Sequence, residues 1–346
     1  MTLLVYGAYG YTGTLISRAA ADRGLAPVVA GRDPDRVHAL GADLDCRSRA
    51  FGLGGDLSAQ LSGVDTLLNC AGPFADTAEP LVAACLDRGV DYLDITGELP
   101  VFERLARRDR EASDAGVTLM PGVGYDVVPT DSLAVYLHDR LPAATHLSLA
   151  VAADGSPSGG TLTTLLRGMG SGGAVREDGR LRWIPTASKR RVVGVGSDSR
   201  TVVSVPLGDL STAYRSTAIP NITTYVAVPA AARHLIRLAG PLGRLLSATP
   251  VQETLIGLVD RVVDGPSEAA RAAGGTWIWG EAWNEATGET VRSTLRTPDP
   301  YDVTVEAALA CAERVGAGEA PAGVATPAGA FGPDLAVGLP GVSRHD

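Results

Sequence analysis

Residues 3–13, LLVYGAYGYTG, constrain this chain more than any other stretch. Four residues, Leu3 to Tyr6, read as a strand and run straight into glycines at 7, 10 and 13. A helical pattern follows over Thr14–Arg23. A strand that turns through glycine into a helix presents backbone N–H groups and the positive end of a helix dipole at one spot. Gly7 permits the tight strand exit. Gly10 leaves room where a pyrophosphate would approach the backbone, and Gly13 lets helix and sheet pack closely. The spacing is G-x-x-G-x-x-G rather than G-x-G-x-x-G. The strand before, the helix after and the charged end of the next strand favour a dinucleotide turn over a plain bend. Gly7, Ala8, Tyr9, Gly10, Tyr11, Thr12 and Gly13 are its candidate cofactor contacts.

The second strand, Pro27–Ala30, ends in GRDPDR. Arg32 stands where an NAD enzyme carries an acidic residue for the ribose 2′-hydroxyl, and an arginine there suits the 2′-phosphate of NADP. Asp33 follows one step later and keeps the ribose of NAD open as an alternative. NADPH is the expected cofactor.

Strand and helix patterns continue to alternate. Strands are expected over Val64–Cys70, Tyr92–Ile95 and Val117–Met120. Helices are expected over Arg32–Leu40, Ala75–Arg88 and Leu99–Ala115. This rhythm implies a doubly wound parallel sheet of Rossmann type over residues 1–125. Beyond Asp139 short β-branched segments take over: Thr145–Ala153, Arg191–Val195, Thr201–Pro206, Ile222–Val228, Thr276–Asn284 and Thr290–Thr297. They imply a second, mixed α/β domain over 126–299 on a mostly antiparallel sheet, with helical patterns at Ala231–Leu246 and Val251–Val263. Residues 300–346 read as a helix, Tyr301–Val315, and a tail of little pattern returning to the first domain.

Ligands bind at the carboxyl ends of the strands in open α/β sheets. Three loops lie there. Cys70, Ala71, Gly72 and Pro73 form a small-residue wall for the cofactor. YLDITGE delivers Asp94, Thr96 and Glu98, with Gly97 and Glu98 as cofactor contacts. PGVGYDVVPTD delivers Tyr125 and Asp126, the candidate catalytic pair, and Asp131 as an N-cap for the helix it precedes. In the second domain Thr161, Thr164 and Arg167 suit a substrate carboxylate or carbonyl. Trp277, Trp279 and Trp283 share one face of a strand, a stripe commoner in a core or dimer contact than in a pocket.

The formal charge of −9 gives no global reason to bind nucleic acid or an anionic membrane. No apolar run is long enough to span a bilayer, no secretory leader is visible, and a cytoplasmic location is expected. Four dispersed cysteines and five dispersed histidines show no metal-ligand spacing, so no metal is expected. Lys189 is the only lysine.

GAYGYTG, AGR, CAGPF, YLDITGE and PGVGYDVVPTD, in this order, resemble the saccharopine dehydrogenase-like superfamily, on the side of the bacterial trans-acting enoyl reductases and saccharopine dehydrogenase-like oxidoreductases. GTLTTLLRGM, GPSEAARAAG and TPAGAFGP extend the resemblance over most of the chain. It implies a Rossmann domain, an inserted mixed α/β domain, and NADP at Gly7, Gly10, Gly13 and Arg32. It also implies reduction of a C=C bond in a lipid or polyketide intermediate, presented by a carrier protein, or of a C=N bond in an amino-acid adduct. PGVGYDVVPTD lacks the D-P-G order of the related substrate loop. A non-catalytic NADP-binding scaffold is the third reading. A homodimer through the antiparallel sheet is expected.

Overall fold

The computed structural model describes residues 1–153, 172–196, 198–228 and 275–346. It divides into two units, Met1–Ser132 with Tyr301–Pro340, and Leu133–Pro300 with Gly341–Asp346. The divisions fall at 132/133 and 300/301, beyond the expected 125/126 and 299/300, because the chain changes unit inside one helix. The final six residues join the second unit, a departure from the expected return of the whole tail to the first.

The first unit holds β1 (Leu3–Tyr6), α1 (Tyr11–Asp22), β2 (Val28–Gly31), α2 (Pro34–Asp43), β3 (Ser48–Ala50), α3 (Leu57–Gln60), β4 (Thr66–Asn69), α4 (Phe74–Arg88) and β5 (Asp91–Asp94). It continues with α5 (Leu99–Leu105), α6 (Asp109–Ala115), β6 (Thr118–Met120) and the start of α7 (Val128–Arg140). The returning segment adds α9 (Pro300–Gly316), β15 (Gly323–Val324) and α10 (Pro327–Phe331). Seven parallel strands lie in the order β15-β6-β5-β4-β1-β2-β3. Every residue of β1, β2 and β4 is buried, as expected of strands covered on both faces. The order reverses at β1, which has β4 on one side and β2 on the other. That reversal opens the crevice in which doubly wound folds take ligands.

Two expectations needed correction here, and two short elements escaped the sequence. The helix expected over Leu99–Ala115 is two helices separated by a 3-10 turn at Ala106–Arg108. β3 and α3, of three and four residues, are too short to show a period. The tail expected to lack pattern supplies a sheet strand, β15, and α10.

The second unit is built on β7 (His146–Ala153), β8 (Gly173–Glu177), β9 (Arg180–Ile184), β10 (Arg190–Val195), β11 (Asp198–Ser204), α8 (Asp209–Thr217), β12 (Asn221–Ala227), β13 (Thr276–Trp283), β14 (Thr290–Thr297) and β16 (Ser343–His345). The main path runs β10-β11-β12-β7-β13-β14-β16, and the β8-β9 hairpin joins at β12. β12 and β7 pair parallel and the other pairs are antiparallel, so the sheet is mixed. One face packs on α7: a Cβ at Gly280 would meet Leu137 Cδ1 at 2.6 Å. On the other face Trp279 is buried with Ala150, Ala152, Val193, Val195, Val202 and Tyr225. Glu281, on the same face, is buried between the guanidinium groups of Arg191 and Arg292. Trp283 stacks on His146 at 4.8 Å. Trp183, on β9, is 66% exposed. Among the described residues no helix is long and apolar enough to cross a membrane.

Candidate functional site

The site grows from the β1–α1 turn of the first unit. Gly7 has φ +79, a conformation that costs L-residues but not glycine. Its N–H and that of Ala8 both donate to the Ala30 carbonyl, at 2.8 and 3.0 Å, which ties the turn to β2. A Cβ on Gly7 would meet the Cβ and backbone N of Ala71 at 2.8 Å. A Cβ on Gly13 would run into the Gly7 carbonyl oxygen. A Cβ on Gly10 would meet only that oxygen, at 3.2 Å, so the space beyond Gly10 is open. Gly10 is the N-cap of α1 and makes no side-chain cap, so backbone alone presents the helix start. These three glycines pass the test for a nucleotide: two allow the backbone to close on itself and one leaves room for a pyrophosphate at a helix N-terminus. Ala8 is completely buried.

Two more turns sit beside this one. Asn69, at the end of β4, accepts the Ala71 N–H on Oδ1 at 3.0 Å and donates from Nδ2 to Thr77 Oγ1 and to the Tyr92 hydroxyl. Tyr92 donates to Asp94 Oδ2 at 2.8 Å. Asp94 Oδ1 accepts the N–H groups of Thr96 and Gly122, at 3.0 and 2.9 Å. Thr96 Oγ1 accepts the Glu98 N–H. The Glu98 carboxylate then accepts Phe74 N–H at 2.9 Å and Ala75 N–H at 3.0 Å, capping α4. Side chains therefore brace the loops after β4, β5 and β6 to one another. Asn69, Tyr92, Asp94 and Thr96 are completely buried. Desolvation is the largest influence on the Asp94 carboxyl and raises it to about 6 despite its three donors. Desolvation also raises the Cys70 thiol, so Cys70 stays protonated.

The sequence-derived residues fall out as follows. Gly7 meets Ala71, and Gly97 meets Asp126: a Cβ on Gly97 would lie 2.6 Å from Asp126 Oδ2. Glu98, expected against the cofactor, has both carboxylate oxygens committed to α4. Tyr125 N–H donates to Thr304 Oγ1 at 3.1 Å, and the Tyr125 hydroxyl is buried. The Asp126 side chain reaches solvent, yet nearby protein desolvates it enough to raise its carboxyl. Asp131 is not the N-cap expected of it. α7 begins three residues earlier, and Asp131 Oδ2 accepts the Ala328 N–H at 2.9 Å, fastening α10. Thr161, Thr164 and Arg167 lie outside the described residues, as do GTLTTLLRGM, GPSEAARAAG and the two helical patterns of 231–263.

Arg32 is exposed at the end of β2. Asp33 turns its carboxylate to the Arg36 N–H at 3.2 Å and so caps α2. Sequence reasoning passed over Arg36. Its guanidinium lies 4.4 Å from the Tyr9 ring centroid and donates to the Tyr9 carbonyl at 3.1 Å. The Tyr9 ring in turn covers Gly31, where a Cβ would lie 2.5 Å from Tyr9 Cε1.

Residues 3–120 match the family described as the saccharopine dehydrogenase NADP-binding domain. The match takes in β1 to β6 of the first unit. The trans-acting enoyl reductase of Mycobacterium ulcerans is 28% identical over 184 residues, 48% of this chain and 44% of that protein. The human saccharopine dehydrogenase-like oxidoreductase is 27% identical over 161 residues, 40% of this chain and 38% of that protein. The chain spans less than half the length of these relatives. A saccharopine dehydrogenase (L-Glu forming) from Saccharomyces cerevisiae superposes with a TM-score of 0.67 over 99% of both chains at 12% identity, a likeness of fold. The cofactor of the NADP-binding domain is NADP(H).

Proposed function

We propose that the chain is an NADPH-dependent oxidoreductase that reduces the C=C bond of an enoyl or enone intermediate, presented by a carrier protein. The observation that carries this reading is the joint match of residues 3–120 to the NADP-binding family and of about half the chain to a trans-acting enoyl reductase. NADPH, when bound, supplies a hydride. The residues of this chain do the rest. Gly7, Gly10 and Gly13 admit the pyrophosphate, Ala71 and Pro73 wall the crevice, and the Asn69–Tyr92–Asp94 brace holds the loops in register.

Addition of hydride to the β-carbon of an enoyl group places charge on the carbonyl oxygen and leaves the α-carbon to take a proton. Asp126 suits that second step better than Tyr125. Its carboxyl reaches solvent and is raised, so it holds a proton nearer neutral pH than an ordinary aspartate, whereas the Tyr125 hydroxyl is enclosed. The Tyr125 backbone N–H holds the loop to Thr304 Oγ1.

The test uses NADPH deuterated at the transferred position, with a short enoyl thioester of pantetheine and, separately, an amine–aldehyde mixture. Deuterium on the carbon β to the carbonyl is the expected product. Label on a carbon bonded to nitrogen would make the chain an imine reductase. No NADPH oxidation with either substrate, in a protein that binds NADPH, would favour a scaffold.

A further inference from the structure

We infer that Arg36, held against Tyr9, is the residue that selects the 2′-phosphate of NADPH, with Arg32 in a supporting role. The inference rests on the reading of residues 3–120 as an NADP-binding domain.

Three observations lead to it. The first is what Asp33 does. Discrimination in favour of NAD needs a carboxylate free to accept from the ribose hydroxyls at the end of β2. Asp33 is the acidic residue nearest that position, and its carboxylate is directed to the first turn of α2. The second is the preparation of Arg36. A free arginine loses much side-chain freedom when it grips an anion. The Arg36 guanidinium is already stacked on a ring and anchored to the Tyr9 carbonyl, so that cost is largely met before ligand arrives. One hydrogen bond uses one of its five donors, and the remaining edge can take phosphate oxygens in the planar fork that lysine lacks. The third is place. Tyr9 belongs to the glycine turn itself and covers Gly31, the last residue of β2. Arg36 is therefore tied to the segment that takes the pyrophosphate. Arg32 stands alone at the strand end, and among the described residues neither arginine is drawn into an ion pair.

The contact also explains the glycine at 31. Any side chain there would push the Tyr9 ring off β2 and carry the guanidinium with it. The same geometry gives Arg36 a flat outer face, which suits the adenine ring that lies next to the 2′-phosphate.

The test is equilibrium binding by calorimetry, with no turnover required. NADPH, NADH, adenosine 2′,5′-bisphosphate and 5′-AMP are titrated into the full chain, Arg36→Ala, Arg36→Lys and Arg32→Ala. Arg36 is exposed, so melting temperature should be retained and serves as the folding control. In Arg36→Ala the NADPH Kd should rise at least about tenfold while the NADH Kd moves less than about threefold, and the bisphosphate should lose its advantage over 5′-AMP. Arg36→Lys should recover only part of the preference, because it restores charge without the plane. Arg32→Ala should shift the ratio less than Arg36→Ala does. An unchanged NADPH-to-NADH ratio in Arg36→Ala overturns the inference, as does a larger effect from Arg32→Ala. Wild-type protein that binds NADH as tightly as NADPH overturns it by removing the NADP reading beneath it, an outcome visible before any variant is made.

Discussion

Gly13 shows how little freedom the cofactor turn has. It lies on the buried side of α1, and a Cβ there would collide with the Gly7 carbonyl and lie 3.0 Å from Ala8 Cα. Neither neighbour is the yielding end of a side chain, so the start of α1 would have to move away from β1. Overpacking of this kind costs about 1–3 kcal/mol. Gly13→Ala should therefore lower the melting temperature and weaken NADPH binding at least about tenfold, read by thermal denaturation and calorimetry. Unchanged affinity would mean that the helix start is not part of the nucleotide site. The role of Gly13 was legible in the sequence because only one residue type fits. Arg36 was not legible, because its meaning comes from a ring 27 residues earlier that meets it only when β1 and β2 are side by side. Asp131 failed for a related reason. A local pattern suggested a cap, and the N–H it accepts is 197 residues away.

At the scale of elements, the first unit was readable because its strands are buried on both faces and separated by helices with a clear period. The missed hairpin β8–β9 carried a signal too. Asp178 and Gly179 form its turn, both at positive φ, +49 and +74, the conformation of a two-residue hairpin loop. Charged residues in β9 hid the alternation expected of a strand. The brace between loops could not be seen at all, since it joins Asn69 at the end of β4 to Tyr92, Asp94 and Glu98 on β5 and the loop after it, 23 or more residues away. The start of α4 depends on it. Pro73 is the N-cap and offers no side-chain acceptor, so the Glu98 carboxylate takes the orphan N–H groups of Phe74 and Ala75 and also opposes the positive end of the helix dipole. Glu98→Ala should destabilise the first unit by about 0.5–2 kcal/mol, measured by denaturant unfolding. Glu98→Gln, which keeps one acceptor and loses the charge, should fall between. If Glu98→Ala matches wild type, the cap is filled by water and the brace ends at Thr96.

The whole molecule offers a means of separating its two units, because Trp183, Trp277, Trp279 and Trp283 all belong to the second. Tryptophan emission reports that unit, and the transition that NADPH displaces reports the first, since a ligand that binds only the folded form stabilises it. The first unit contains Asp91, Asp94 and Asp126, all with carboxyls raised chiefly by desolvation. The sign follows from proton linkage. A carboxyl whose value is higher in the fold than in the open chain binds its proton more tightly in the fold. Its stabilising contribution is complete below the open-chain value of 3.8 and is lost as pH rises through the folded value, about 6 for Asp94. A shift of that size corresponds to about 3 kcal/mol. Surface carboxylates such as Glu111, held low by Arg108, act in the opposite direction at more acid pH, which limits the window. Lowering the pH from 7.5 to 5 should therefore raise the NADPH-responsive transition of the apo protein by about 1–3 kcal/mol, followed by far-UV circular dichroism in denaturant. Asp94→Asn, neutral throughout, should flatten most of that slope, because the proton that wild type gains on acidification is no longer available to it. A transition that weakens steadily from pH 7.5 to 5 in wild type, with the same slope in Asp94→Asn, would show that the three donors around Asp94 outweigh its desolvation and that its carboxyl stays ionised through the range.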